Sequence, residues 1–213
     1  MALTFPAPLP SMSFTRTEFW LEHQQSTSLT GGGNPAAASL APPLWRARFQ
    51  TPRLGDADAG TWTAWISALR GGLRMFKGVP RRWPITYPAG FAGLTVGGSP
   101  FSGSGSISAI ATSRDQISIS GLPAGFVLQA GDYLSVPSAS RQLLHLVTES
   151  GTANGSGVAS VSIEPVLRQG ITTGAAVLAA SPWCEMVLIG SPVVARDTLR
   201  LGTLQFEGRQ VLI

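Results

Sequence analysis

The 213-residue sequence contains almost no cysteine. Its single cysteine, Cys184, excludes a disulfide within the chain. Cys184 lies in the mostly apolar run Trp183–Ile189, which predicts a buried thiol that packs in a core and does no chemistry. A chain of this length forms one large domain or two small ones and can bury a core without covalent or metal crosslinks.

Charge is also scarce. Charged residues make up 12% of the chain while hydrophobic residues make up 44%, so disorder driven by charge is not expected. The 25 glycines and 16 prolines divide the chain into short segments rich in Ser, Thr and Ala. This composition predicts a mainly β protein.

Long apolar runs are missing as well. No stretch approaches the length of a membrane span, and the first ten residues contain no basic residue ahead of their apolar positions. We therefore expect neither a membrane segment nor a signal peptide, and we expect synthesis in the cytoplasm.

Residues that carry chemistry are few and scattered. The two histidines, His23 and His145, have no Glu or Cys at metal-ligand spacing. No Gly-x-Ser-x-Gly elbow is present, Gly103-Ser104-Gly105 is interpreted as loop, and the acids occur singly. The sequence predicts no enzyme, metal site or cofactor. His145 alternates with apolar neighbours, which indicates a core or barrel-mouth position.

The first part of the chain predicts strands and one helix. Phe14–Leu21 is typical of a strand, and Trp45–Gln50 alternates apolar with polar residues, as a half-buried strand does. A helix over about residues 58–70 follows. Asp58 could cap it, and Trp62, Trp65, Ile66 and Leu69 form its apolar stripe.

A long polar break separates these two strands. It runs from Gln24 to Pro43 and contains Gly31-Gly32-Gly33-Asn34. No Gly-Lys-Ser/Thr follows the glycines, which argues against a phosphate-binding loop. The break is either a flexible loop or an extended arm.

The middle of the chain changes character. Aromatic residues become sparse, and short strands are predicted at Gln116–Ser120, Phe126–Gln129, Tyr133–Val136, Gln142–Glu149, Val158–Glu164 and Ala175–Ala179. Asn154-Gly155 indicates a turn that makes the fourth and fifth of these antiparallel neighbours. Aromatic residues return in two closing strands, Trp183–Ile189 and Thr203–Leu212.

We therefore predict a β-sandwich or barrel-like domain with one packed helix, built from residues 1–93 and 183–213. A small β-barrel or sandwich domain, residues 94–182, is inserted into it.

Positive charge is concentrated in one segment. From Arg46 to Arg82 there are eight basic residues and two acidic ones, a surplus of +6, and the rest of the chain carries −2. Only one of the 15 cations is lysine, which favours a protein interface over nucleic acid because Arg makes planar, hydrogen-bonded contacts. The candidate interface residues are Arg70, Arg74, Lys77, Arg81 and Arg82, which we expect to face an acidic protein surface. Alternatively, they cap the helix and shield a sheet edge.

Several short motifs in the second half of the chain resemble a domain that recurs in tail-tip proteins of long-tailed bacteriophages. They are Gly125-Phe126, Ala130-Gly131-Asp132-Tyr133-Leu134, Arg141–Thr148, Gly157–Ile163, Glu164-Pro165-Val166-Leu167-Arg168, Gly174 and Pro182. The N-terminal part of proteins in the distal tail protein family is similar to three segments in the first half of this chain. They are Trp45–Gln50, the helix with Trp62 and Trp65, and Leu73–Pro84.

This resemblance implies a virion protein of the tail tip, or baseplate, made in the host cytoplasm. The family forms a homo-hexameric ring that joins the tail tube protein to the tail hub protein, with a second β domain on the outside and no catalysis. No membrane contact and no sequence-specific nucleic-acid binding are expected. The alternatives are a carbohydrate-binding module of a tail or surface protein and, less favoured, a hydrolase.

Overall fold

The computed structural model describes residues 3–11, 13–29, 31–80, 84–139, 141–196 and 202–212. The prediction of a mainly β fold with one helix is confirmed. The elements are β1 Arg16–Leu29, β2 Pro35–Gln50, α1 Asp56–Ala68, β3 Met75–Gly78, β4 Thr95–Val96, β5 Ser99–Pro100, β6 Ser104–Ile110, β7 Gln116–Ser120, β8 Val127–Leu128, β9 Tyr133–Ser138, β10 Arg141–Glu149, β11 Gly151–Thr152, β12 Ala159–Glu164, β13 Ala176–Leu178, β14 Cys184–Arg196 and β15 Gly202–Gln210.

The chain divides into two compact units. The first comprises residues 1–76 and 186–211, and the second comprises residues 77–185 with 212–213. The boundaries fall inside β3 and β14. The sequence analysis assigned residues 77–93 to the first domain, whereas here they belong to the second unit.

The first unit is organised by a five-stranded sheet in the order β1-β2-β15-β14-β3. Its apolar face is aromatic: Phe49 on β2 stacks on Phe206 on β15 with ring centroids 4.9 Å apart. Trp62 and Trp65 of α1 each lie 5.7 Å from the Phe206 ring. The apolar stripe predicted for α1 therefore packs on the apolar face of the sheet, and its aromatic rings lie at the usual distances for aromatic pairs.

The helix begins earlier than predicted. Its N-cap is Gly55, whose backbone is extended, and Asp58 makes no cap because it lies within the first turn together with Asp56. The prediction that Asp58 caps the helix was wrong. Both carboxylates still lie at the positive end of the helix dipole, where negative charge is favourable.

The second unit contains a closed six-stranded barrel in the order β10-β12-β7-β6-β13-β9. Strand β7 has the predicted bounds, and β10 and β12 are antiparallel neighbours as predicted. The interpretation of Gly103-Ser104-Gly105 as loop was wrong, because β6 begins at Ser104. Gly105 is required there, since a Cβ at this position would lie 2.7 Å from the Ser120 carbonyl oxygen on β7.

Candidate interaction surfaces

An exposed two-stranded ribbon extends from the first sheet. Strands β1 and β2 continue their antiparallel pairing through the polar break, from Gln24↔Ala41 to Leu29↔Pro35. Every described residue from Gln25 to Pro42 is exposed. The break is therefore an extended arm, one of the two alternatives that the sequence left open. We call residues 25–42 the arm.

The arm carries no charge. No Asp, Glu, Lys or Arg occurs between Glu22 and Arg46, although about a quarter of the residues in typical soluble domains are charged. Two of its exposed side chains are large and apolar: Leu29 is 76% exposed and Leu40 is 71% exposed. Charged side chains are one of the features by which proteins prevent exposed strands from pairing with another chain, and the arm lacks them.

The polar face of the first sheet, in contrast, is densely charged. Arg46 contacts Glu22 at 2.7 Å and Glu207 at 3.3 Å. Arg48 contacts Glu207 at 2.5 Å and Glu18 at 3.6 Å. The hydrogen bond and the charge of Glu207 raise the pKa of Arg48. A polar groove of about 340 Å³ lies beside this network at the root of the arm, lined by Glu22, His23, Gln24, Gln25, Leu40, Arg46, Ile189 and Arg209.

This network changes how the basic segment is interpreted. Arg46 and Arg48 counted toward the surplus of +6, but both are neutralised by glutamates that lie outside the segment. The sequence analysis recognised the alternation that places Arg46 and Arg48 on one face. It missed Glu207, the partner of both arginines, because β15 pairs with β2 across most of the chain length.

Three of the five predicted interface residues are described. Arg70 is exposed and follows the helix in a left-handed conformation, with φ at 51°. Arg74 donates a hydrogen bond to the Ala68 carbonyl at 3.1 Å and so caps the helix. Lys77 lies over the Trp183 ring at 4.6 Å. Arg81 and Arg82 lie outside the described residues.

Arg70 and Arg74 lie in the turn between α1 and β3, at the far edge of the first sheet. Ala7 forms a parallel bridge with Phe76, which places the N-terminal segment along β3. The guanidinium of Arg74 lies 4.7 Å from the Phe5 ring. Leu73 is 82% exposed, Leu3 44% and Phe5 37%. We call Leu3, Phe5, Leu73, Arg70 and Arg74 the far-edge patch.

In the second unit, the Gly-Asp-Tyr-Leu motif has a structural role. The buried carboxylate of Asp132 accepts hydrogen bonds from the Ile85 amide at 2.7 Å and the Gln129 amide at 2.8 Å. It thereby fixes the segment that precedes the barrel. Tyr87 of that segment stacks on Phe126 at 4.6 Å and accepts a hydrogen bond from the Val127 amide. The motif is thus explained by packing, since a buried carboxylate needs such donors.

The buried histidine and the buried cysteine match their predicted environments. His145 is 2% exposed, and its Nδ1–H donates to the Pro165 carbonyl at 2.7 Å. Burial lowers the pKa of His145 to about 4. Cys184 is fully buried, and burial followed by the charge of Glu185 raises the pKa of its thiol. A protonated, buried thiol is a poor nucleophile.

Within the described ranges, no cluster of three or more His, Cys, Asp or Glu side chains could hold a metal ion. None of the helical residues that the structure describes forms a span long and apolar enough to cross a membrane. No protein-family model and no curated protein matches the sequence. What the chain does is therefore inferred from its own surfaces.

Proposed function

We propose that the protein is a structural component of a phage tail tip. In this proposal six copies form a ring that connects the tail tube protein to the tail hub protein, and the chain catalyses no reaction. The motif resemblance supplies the family, and the mainly β architecture with one helix packed on a sheet is compatible with it. The resemblance implies that the second β domain lies on the outside of the ring.

The observation that carries this proposal is the arm. A two-stranded ribbon exposed on both faces has little stability of its own in water. An uncharged ribbon also invites pairing with other chains. We therefore expect the arm to be a contact surface, and side-by-side assembly of identical copies would give it a partner in every particle.

The first experiment removes the arm while keeping the sheet. Replacing residues 26–38 with Asn-Gly closes the ribbon at the Gln25↔Ser39 pair with a two-residue hairpin turn. Light scattering on the unaltered chain should give six times the 22.2 kDa mass of one copy, and the shortened chain should remain a monomer. A monomeric unaltered chain at millimolar concentration contradicts the proposal.

A second variant tests whether the arm must be uncharged. Thr27 and Ala37 are cross-strand partners, so Thr27→Glu with Ala37→Lys adds an ion pair that preserves the ribbon. This variant should assemble poorly. The matched control is Ser118→Glu with Ser160→Lys, the same pair of charges across two paired strands of the barrel, which should assemble normally.

A further inference from the structure

The arm and the far-edge patch lie at opposite edges of the same sheet. The arm is formed by β1 and β2 at one edge, and the patch lies along β3 at the other. A contact between two different surfaces of identical copies is heterologous, and such contacts close into a ring when the rotation permits. Surfaces at opposite edges are suited to side-by-side neighbours.

The two surfaces are also chemically complementary. Each has large exposed apolar side chains: Leu29 and Leu40 on the arm, and Leu73 and Phe5 on the patch. The arm has no charge that would repel the arginines of the patch. The outer edges of a two-stranded ribbon present main-chain carbonyls that lie outside its own ladder of hydrogen bonds, and a guanidinium can donate several hydrogen bonds to such carbonyls.

Arg70 adds an independent observation. Its left-handed backbone, at φ 51°, costs a non-glycine residue about 1–2 kcal/mol, and Gly is the usual residue in this position after a helix. An exposed arginine kept there points to a use for its side chain. The Arg70 guanidinium could donate hydrogen bonds to main-chain carbonyls of a docked arm.

We infer that the far-edge patch of one copy receives the arm of the next copy in the ring. This inference rests on the proposed function and adds the docking surface to it. The occupant is a second copy of this chain, because the same chain presents both complementary surfaces at opposite edges. The basic residues Arg70 and Arg74 then face an uncharged ribbon, so the contact should be insensitive to salt.

Cysteine crosslinking tests the inference directly. The native cysteine is buried, so thiols introduced at exposed positions are the reactive ones. A chain carrying Leu29→Cys and Leu73→Cys, treated with a short bismaleimide, should give covalent species up to the full ring. A mixture of the two single variants should give dimers that contain one chain of each kind.

The control places the second thiol on the barrel, at Val166, which is 47% exposed. Leu29→Cys with Val166→Cys should crosslink at least tenfold less than the pair with Leu73→Cys. Equal crosslinking of the two pairs overturns the docking inference. The mass of the unaltered chain separates the two proposals: a ring without Leu29–Leu73 crosslinks rejects only the docking surface, while a monomer rejects the ring as well.

Salt provides a second readout. The mass of the unaltered chain should be unchanged between 0.05 and 1 M NaCl, whereas Leu73→Lys should raise the concentration for half-assembly at least tenfold. Dissociation of the ring in high salt would show that ion pairs hold the contact and would overturn the assignment of an uncharged occupant.

Discussion

His145 should make the second unit less stable as the pH falls. Its imidazole is buried in the barrel, with Nδ1 bonded to the Pro165 carbonyl and Nε2 buried without a partner. Its pKa is about 4 in the folded chain, against about 6.5 in an unfolded one. Between these two pKa values the unfolded state binds more protons than the folded state. The contribution of neutral His145 to stability is therefore fully present above pH 6.5 and is lost as the pH falls toward 4.

The size of this effect follows from the two pKa values. A difference of about 2.5 pH units corresponds to about 3 kcal/mol of unfolding free energy when it is fully expressed. By pH 5.5 the expected loss is about 1.4 kcal/mol. A loss of about 1.4 kcal/mol is large compared with the 5–15 kcal/mol by which typical domains are stable.

Urea unfolding from pH 7 to pH 4.5 measures the effect. Carboxylates also titrate in this range, so the relevant quantity is the difference between the unaltered chain and His145→Asn. The Asn amide can still donate to the Pro165 carbonyl but does not titrate. The destabilising effect of the substitution should shrink by about 1.4 kcal/mol as the pH falls to 5.5. Parallel pH profiles for the unaltered chain and His145→Asn would refute the reasoning.

Three further predictions concern packing and charge. Gly208→Val should destabilise the first unit by about 1–3 kcal/mol, because a Cβ at Gly208 would lie 2.5 Å from Phe76 Cζ. Gly155→Ala, which has no atom within 4 Å of its added Cβ, serves as the neutral control in thermal unfolding. Arg70→Gly should raise the free energy of unfolding by about 1 kcal/mol by removing backbone strain, yet weaken assembly in light scattering; unchanged assembly would mean that the side chain has no role in the contact. Arg81→Glu with Arg82→Glu should impair assembly if these residues face an acidic protein surface, and the defect should worsen at higher salt if the remaining ion pairs hold that interface; normal yield with an intact circular dichroism spectrum would reject that expectation.

The sequence predicted features that depend on local pattern. The alternation in Trp45–Gln50 identified which side chains are buried, since Trp45, Ala47 and Phe49 all lie in the core. The helical spacing of Trp62 and Trp65 likewise identified the face of α1 that packs on the sheet. In both segments one face is buried and the other is not, and this difference produces a readable period.

The arm and the ion-pair network could not be predicted in the same way. Both faces of the arm are exposed, so no hydrophobic period distinguishes a paired ribbon from a loop. The network joins Arg46 and Arg48 to Glu207 through the pairing of β2 with β15. That pairing is set by tertiary structure, and no local pattern in the chain encodes it.

Only the basic residues of the far-edge patch could be predicted from the sequence. The basic stretch Arg70–Arg82 stood out by charge, but its apolar partners Leu3 and Phe5 come from the other end of the unit. They reach β3 through the bridge between Ala7 and Phe76. Charge alone therefore suggested an acidic partner, and no pattern in the sequence indicated that the Phe5 ring lies against Arg74.

The central claim is that this chain is a ring component of a phage tail tip. The most direct measurement is quantitative mass spectrometry of phage particles purified from cells that express this chain, combined with antibody labelling viewed by electron microscopy. The account predicts six copies per particle, with the label at the end of the tail. Absence of the chain from purified particles, or its presence elsewhere in the particle, would contradict the account.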